Sequence, residues 1–364
     1  MTASTYTDCA RAWVEVDLGA LVRNGAVLAR RAGVPLLPMV KADAYGLGAV
    51  PVARALERLE PWGFGVATVD EARELRAAGI RRPILVFTPI LPEQFASAEA
   101  LEVTPTLHRA DDIRWWGSRG RPWHLAIDTG MNRAGVQWDR LAELVDVIRA
   151  HPPEGAFTHF HSADLADETV ARQEDRFRDA LASLPVRPSQ LHAENSPRLE
   201  RTARSPWTLA RPGVFLYGVD SGAGTPCEPV AAMRARVVDL REIAPGETVS
   251  YSGTWRAEGP RRIATLSVGY GDGYRRALSN RGRVLIRGRE APVRGFVTMD
   301  MTMVDVTDVP CELGDVATLL GSDGAARLTA WDVARDGGIS PYEVLTSLRG
   351  RLPRIHRSTL EGEG

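Results

Sequence analysis

The chain has 364 residues, a formal net charge of −1, 44% hydrophobic residues and 25% charged residues. This composition is that of an ordinary soluble globular protein, and the small net charge gives no general attraction to nucleic acid or to a membrane surface. Three widely spaced cysteines give no disulfide framework, no apolar signal-peptide core is visible, and no stretch is long enough to span a membrane, so we expect a cytoplasmic protein.

Short apolar segments recur through the first 217 residues, with helical stretches between several of them. Residues 70–78 and 141–150 carry apolar side chains at three- and four-residue spacing, which predicts helices. Eight strand candidates in this arrangement predict an α/β fold, a (β/α)8 TIM barrel. The candidates are 36–40, 63–67, 83–87, 103–107, 123–128, 156–161, 190–195 and 209–217.

From about residue 230 the pattern changes to short strands separated by Gly, Pro and Asp turns, which predicts a C-terminal all-β domain. Residues 12–16 alternate apolar and polar side chains and are suited to pairing with that domain. We therefore expect a barrel at 17–232, and a β-rich domain formed by 1–16 with 233–364. The strand candidates of the second domain are 230–240, 263–268, 283–286, 291–297 and 303–306.

Lys41, the only lysine in the chain, directly follows the strand candidate 36–40. A lysine at the carboxyl end of such a strand lies at the mouth of an α/β fold. Desolvation there lowers the pKa of the amine, and a neutral amine can form a Schiff base. Tyr45, Gly46 and Gly48 are suited to holding an anion nearby. The segment therefore predicts an anchor for pyridoxal phosphate, and the alternative is a surface or structural lysine.

Six further motifs follow the lysine segment in a fixed order. They are 128–135 (DTGMNRAG), 158–160 (THF), 192–196 (HAENS), 211–214 (RPGV), 268–274 (VGYGDGY) and 299–305 (MDMTMVD). Together with the lysine segment they resemble the motifs of the alanine racemases, which are fold-type III pyridoxal phosphate enzymes. The resemblance extends from about Trp13 to Arg354, and the order of the motifs makes it specific.

The resemblance implies two catalytic bases, Lys41 and Tyr270. Lys41 would bind the cofactor covalently and serve one face of the substrate α-carbon. Tyr270 would reach the opposite face from the other subunit of a homodimer. Racemisation needs both, because a proton leaves one face and another returns to the opposite face. Since a phenol is ordinarily a weak base at neutral pH, the neighbouring His159 and Arg211 would assist it.

The resemblance also implies a set of binding residues. Arg211 would contact the pyridine nitrogen and leave it unprotonated, which limits transamination. The cofactor-binding residues would be Lys41, Tyr45, His159, Asn195, Ser196, Arg211, Gly213 and Val214, with Tyr45, Ser196, Gly213 and Val214 at the phosphate. The substrate-binding residues would be Arg133, Met299 and Asp300. The pair His159 and His161 has no third ligand at diagnostic spacing, so we predict no metal site.

Several residues depart from the family pattern, mostly around the substrate mouth. Because the cofactor motifs are intact, we expect a racemase of alanine or a related small amino acid. A larger or unusual amino acid, a decarboxylase reaction and a non-catalytic pyridoxal phosphate-binding protein stay open as alternatives. The departures are Leu47, Ala126 (where many members carry a carbamylated lysine), Phe296, Thr298, Met301, and Gly350 in place of a gate tyrosine.

Overall fold

The computed structural model describes residues 9–165 and 167–357. Its N-terminal half alternates short strands with helices. Asp17 starts the first helix by accepting a hydrogen bond from the amide of Ala20 at 2.9 Å, and Gly33 ends that helix with a φ of 64°. The elements are β1 (Ala12–Asp17), α1 (Leu18–Ala32), α2 (Ala49–Leu56), β2 (Phe64–Val66), α3 (Val69–Ala77), β3 (Ile84–Val86), α4 (Pro92–Ala100), β4 (Thr104–Leu107), α5 (Ala110–Gly117), β5 (His124–Asp128), β6 (Val136–Gln137), α6 (Val145–Ala150), β7 (Gly155–Phe157), α7 (Thr169–Ser183), β8 (Gln190–His192) and α8 (Ser196–Arg201).

Six of these strands form one curled sheet in the order β2–β3–β4–β5–β7–β8, with β6 beside β5. Every neighbouring pair in the sheet is parallel. The strands are therefore joined by crossover segments, several of them helical, and their carboxyl ends meet at one edge. The prediction of the α/β class is confirmed, and the six middle strand candidates are confirmed as strands.

The regular strands form a curled half-barrel and not a closed barrel, so the predicted eight-stranded barrel is confirmed only in part. The first and last candidates pair through single bridges, Leu36 with Ala210 and Met39 with Gly65. Prolines within or directly before these segments give a physical reason, because proline has no N–H for a strand ladder. These prolines are Pro35, Pro38 and Pro212. Val214–Tyr217, inside the last candidate, is a 3-10 helix.

The C-terminal half is built around a second, larger sheet. Its elements are β9 (Ala231–Ile243), β10 (Thr248–Val249), β11 (Trp255–Arg256), β12 (Arg261–Leu266), β13 (Arg283–Ile286), β14 (Arg289–Pro292), β15 (Thr302–Asp305), β16 (Val316–Asp323), β17 (Ala326–Leu328), α9 (Ala330–Gly337), α10 (Pro341–Thr346) and β18 (Arg354–Arg357). The sheet order is β14–β13–β16–β9–β1–β18, and β12 joins β9 to β15. Strand β1 thus lies between β9 and β18. This confirms the prediction, made from its alternating apolar and polar side chains, that this segment pairs with the second domain.

The prediction that the second domain is all-β is wrong in one respect, because it contains the helices α9 and α10. Both helices have local start signals. Thr329 and Asp332 form a capping box before α9, and the Ser340 side chain accepts a hydrogen bond from the amide of Tyr342 at the start of α10. In the part of the chain that the structure describes, no helix is long and apolar enough to cross a bilayer.

One apolar core runs through both halves of the molecule. Leu47, which follows the lysine segment, is fully buried and belongs to the same core cluster as Val14 of β1 and Leu345 of α10. The loop that carries Lys41 therefore packs against the C-terminal half within this shared core.

Candidate active site

The carboxyl ends of the parallel strands and the loops that follow them surround a cavity of about 850 Å³. That volume is in the range of small-molecule and cofactor sites. All the site residues predicted in the N-terminal half line this cavity. They are Lys41, Tyr45, Arg133, His159, Asn195, Ser196, Arg211, Gly213 and Val214. The structure thus brings together residues from five separate segments.

Lys41 lines the cavity beside two cationic side chains. Burial lowers the pKa of its amine, the guanidinium groups of Arg133 and Arg211 lower it further, and the Glu71 carboxylate acts in the opposite direction. These influences favour a neutral amine, which is the nucleophilic form. The backbone after Lys41 turns in the left-handed sense, with φ between 51° and 56° at Ala42–Tyr45.

Gly46 and Gly48 face the C-terminal half, so the interpretation of these two glycines as an anion holder is wrong. A β-carbon on Gly46 would lie 2.6 Å from the Leu345 carbonyl oxygen, and one on Gly48 would lie 3.1 Å from Nε2 of His356. Both have a positive φ, 86° and 99°. They let the lysine loop pack closely on the second domain, and Tyr45 is the part of that prediction that lines the cavity.

Ser196, Gly213 and Tyr45 form a polar recess in the cavity wall. The Ser196 hydroxyl oxygen accepts hydrogen bonds from the amides of Gly213 at 2.8 Å and Phe215 at 3.3 Å. A β-carbon on Gly213 would lie 2.6 Å from the Tyr45 hydroxyl oxygen, so only glycine lets the phenol approach. Burial raises the pKa of Tyr45, which keeps the phenol protonated as a donor. Because its oxygen accepts these two amides, the Ser196 hydroxyl is left to donate its own hydrogen, as is the Tyr45 phenol, and two such donors suit a phosphate.

Replacing Gly213 with alanine is expected to weaken pyridoxal phosphate binding at least about tenfold, because the new methyl group displaces the Tyr45 phenol. Fluorescence titration of cofactor-free protein with pyridoxal phosphate measures this. The matched control is Gly259→Ala, where φ is not positive and a β-carbon meets nothing within 4 Å. Equal cofactor affinity in both variants would contradict the placement of the phosphate in this recess.

Arg211 lies between backbone carbonyl groups and an aromatic surface. Its Nη2 donates to the carbonyl oxygens of Thr158 at 2.6 Å and Ala193 at 2.8 Å. Its guanidinium carbon lies 5.4 Å from the centre of the Phe87 ring and 5.3 Å from that of Phe157. The buried Nε has no hydrogen-bond partner among the residues that the structure describes. Burial lowers the pKa of Arg211 to about 9, so the side chain still carries its proton at neutral pH.

His159 is electrically neutral at physiological pH. Burial first, and then the charges of Arg211, Arg133 and Lys41, lower the pKa of its imidazole from the ordinary 6.5 to about 3. The side chain therefore offers an uncharged donor or acceptor next to the lysine. An added positive charge at this place would oppose Arg211 and Arg133, which explains why the imidazole stays unprotonated.

This shift predicts that His159 makes the protein without its cofactor more sensitive to acid. Between pH 6.5 and pH 3 the unfolded chain binds a proton at His159 and the folded chain does not, so stability falls as the pH falls. At 1.36 kcal/mol per pKa unit, this shift corresponds to a loss of at most about 5 kcal/mol. Urea unfolding between pH 4 and pH 7 should show a smaller loss for His159→Asn than for the wild type. The same replacement at the exposed His161 is the control, and equal losses in the wild type and His159→Asn would contradict the shift.

Tyr270, Met299 and Asp300 lie together on the second domain, outside the cavity of their own chain. The Tyr270 amide donates to the carbonyl oxygen of Thr298 at 2.9 Å, and the Gly271 amide to that of Met299 at 2.9 Å. Tyr270 is 40% exposed and Met299 is 53% exposed. A single chain therefore does not bring these predicted site residues to Lys41.

A buried carboxylate holds the Tyr270 loop in place. Asp272 is fully buried and accepts hydrogen bonds from Nη2 of Arg11 at 2.5 Å and from the Gly269 amide at 3.0 Å. Arg351 forms ion pairs with both Asp272, at 3.3 Å, and Asp300, at 2.6 Å. The loops that carry Tyr270 and Asp300 are thereby fixed relative to each other.

Tyr342 and Thr346 of α10 are among the cavity residues that were not predicted from the sequence. Gly350, the position predicted to correspond to a gate tyrosine, does not line the cavity. Burial raises the pKa of Tyr342 to about 12, and the charges of Asp164 and Glu200 act in the same direction. The Ser340–Pro341 pair is a sequence signal for a helix start, but it does not indicate which cavity the helix faces. Ala126 and Asp164 also line the cavity.

Comparisons with known proteins match nearly the whole chain. A family model for the alanine racemase N-terminal domain matches residues 16–221, and one for the alanine racemase C-terminal domain matches residues 230–356. The alanine racemase of Syntrophobacter fumaroxidans is 38% identical over 95% of this chain and 98% of its own length. That of Deinococcus radiodurans is 40% identical over 94% of this chain and 98% of its own length.

Solved structures are similar over the same extent. The alanine racemase of a D-cycloserine-producing Streptomyces lavendulae has a TM-score of 0.91 and 32% identity, covering 96% of this chain and 98% of that chain. The alanine racemase of Bartonella henselae, with covalently bound pyridoxal phosphate, has a TM-score of 0.88 and 29% identity, covering 96% of this chain and 100% of that chain.

Proposed function

The chain belongs to the alanine racemase family, and we propose that it is a pyridoxal phosphate-dependent racemase of alanine or a related small amino acid. The observation that carries the proposal is the cavity around Lys41. There the only lysine of the chain has a lowered pKa beside Arg211 and a neutral His159. A lowered pKa favours the neutral amine, which is the form that acts as a nucleophile and as a base.

The cavity residues fit pyridoxal phosphate. The buried, unpartnered Nε of Arg211 is a donor for a ring nitrogen that carries no proton. The recess of Tyr45, Ser196 and Gly213 fits the phosphate, and Lys41 is the covalent anchor. When bound, the cofactor withdraws electrons from the α-carbon of the amino acid, so that its α-proton becomes removable.

The side chains of this chain then bind the substrate and transfer protons. Nζ of Lys41 accepts a proton from one face of the α-carbon or returns one to it. The exposed guanidinium of Arg133 binds the substrate carboxylate through two parallel hydrogen bonds. His159 and Arg211 stabilise the developing charge without supplying a proton, because His159 is neutral and a guanidinium keeps its own.

The second base comes from another copy of this chain. We propose a head-to-tail homodimer in which Tyr270, Met299 and Asp300 of the partner subunit face the cavity. The exposure of the Tyr270 and Met299 side chains on a rigid loop supports this arrangement. It also supports the division into a cofactor-binding unit at 17–232 and a unit at 1–16 plus 233–364 that serves the other subunit.

Proton exchange in heavy water tests the proposed function. The protein is incubated with pyridoxal phosphate and L-alanine, and separately with L-serine, and the products are analysed by mass and by chiral chromatography. A racemase produces the D-form with deuterium at the α-carbon. Exchange without inversion would remove Tyr270 from its role, and no exchange despite a bound cofactor would favour a binding protein.

A further inference from the structure

The turn that begins at Lys41 is held in a conformation that its own residues disfavour. Four consecutive non-glycine residues, Ala42–Tyr45, have φ between 51° and 56°. L-residues visit this left-handed region singly, at a cost of about 1–2 kcal/mol each, and rarely in series. Such strain persists only where the surrounding structure fixes it. The contacts around the turn are therefore expected to act on the position of Lys41.

One carboxylate joins this turn to the neighbouring strand loop. Oε1 of Glu71 accepts a hydrogen bond from the Ala42 amide at 2.8 Å, and Oε2 accepts one from the Ala67 amide at 2.6 Å. Ala42 directly follows Lys41, and Ala67 lines the cavity. Glu71 itself does not line the cavity, so it acts through these two amides.

We propose that Glu71 is a positioning residue, which holds the strained turn so that Nζ of Lys41 receives the cofactor. The inference rests on the proposed function, because it assumes that Lys41 binds pyridoxal phosphate. Two acceptor oxygens are needed, since the three backbone partners of the carboxylate, the amides of Ala42, Ala67 and Thr68, are all donors. Glutamine offers one acceptor and places its NH₂ group against the other donor. It still fits the capping box that Glu71 forms with Thr68, so the start of α3 is retained.

The negative charge of Glu71 and its hydrogen bonds have opposite expected effects on the rate of cofactor attachment to Lys41. The negative charge favours the protonated amine of Lys41, so removing it alone would give more neutral amine and faster cofactor attachment. Losing the hydrogen bonds would let the turn relax and slow attachment. The sign of the change therefore separates positioning from electrostatics.

The experiment follows pyridoxal phosphate attachment to the full-length chain after removal of bound cofactor. Borohydride reduction at timed intervals and peptide mass analysis report Lys41 without ambiguity, because it is the only lysine. Glu71→Gln and Glu71→Asp are compared with the wild type, and Glu74→Gln, an exposed residue of the same helix, is the matched control. Amide hydrogen exchange of Ala42 is measured on the same samples.

We expect attachment to be at least tenfold slower in Glu71→Gln and Glu71→Asp, with exchange of the Ala42 amide at least tenfold faster, and no change in Glu74→Gln. Aspartate keeps the negative charge, but its side chain is one methylene group shorter and does not reach the same amides. Slow cofactor attachment in Glu71→Asp therefore supports positioning. An equal or faster rate in Glu71→Gln, or unchanged Ala42 exchange, overturns the inference. A wild type that binds no cofactor at Lys41 overturns the proposed function and the inference with it.

Discussion

Replacing Lys41 with alanine is expected to abolish covalent binding of pyridoxal phosphate and to slow racemisation at least about 10⁴-fold, because it removes both the anchor and one proton-transfer group. No second lysine is present to substitute for it. Absorbance of the lysine-bound cofactor, borohydride trapping and chiral analysis of the product measure the two losses separately.

Two controls accompany the Lys41 replacement. Lys41→Arg keeps a cation of similar length but not a nucleophilic amine, so it should fail in the same way. A small primary amine added to Lys41→Ala should restore part of the α-proton exchange, since the emptied cavity admits it and it replaces the missing base. Full racemisation by Lys41→Ala without added amine would show that the lysine is structural.

Replacing Tyr270 with phenylalanine is expected to lower racemisation about 10²- to 10⁴-fold, the usual contribution of a positioned acid or base. Cofactor binding should be unchanged, because the side chains proposed to hold the cofactor, such as Lys41, Tyr45 and Arg211, are left intact. Exchange of the α-proton should survive for one enantiomer, the one whose proton faces Lys41. Tyr251→Phe, at a tyrosine that is 72% exposed on the same domain, is the control.

Mixing the two inactive variants tests which subunit supplies the tyrosine. If Tyr270 serves the partner subunit, a mixed dimer of Lys41→Ala and Tyr270→Phe chains has one site with both bases intact. Random reassortment of the two chains should then recover about one quarter of the wild-type activity. No recovery in a mixture shown to form mixed dimers would place the tyrosine and the lysine on the same chain.

The sequence predicts the cavity well because its segments follow strands β5, β7 and β8 or the two segments that pair through single bridges. Parallel strands present their carboxyl ends at one edge. This is why Lys41, His159 and Arg211, which are far apart in sequence, could be assigned to one site. The irregular first and last barrel segments were not predictable from apolar content. There Leu36 and Ala210 are as buried as strand residues, and prolines determine the pairing.

Contacts between segments that come together only in the fold could not be predicted from the sequence. Tyr342 reaches the cavity because α10 packs beside the lysine loop, and nothing in its local sequence indicates that neighbour. Glu71 looks like an ordinary capping residue from its spacing with Thr68, and its bonds to two cavity loops appear only in the fold. Gly46 and Gly48 were misinterpreted for the same reason, since the residues that pack against them, Leu345 and His356, lie about 300 residues later in the chain.

The placement of β1 beside β18 determines when the lysine loop is completed during synthesis. Nε of Arg354 donates to the Gly46 carbonyl oxygen at 3.0 Å, and Nε2 of His356 lies 2.7 Å from the Leu47 carbonyl oxygen. Both contacts come from β18, 308 and 309 residues after the loop positions that they bind. A nascent chain can assemble its parallel sheet early, but these contacts to the lysine loop form only after β18 has been synthesised. Premature termination before Arg354 would therefore give a chain that keeps Lys41 but not the clamp that fixes its loop.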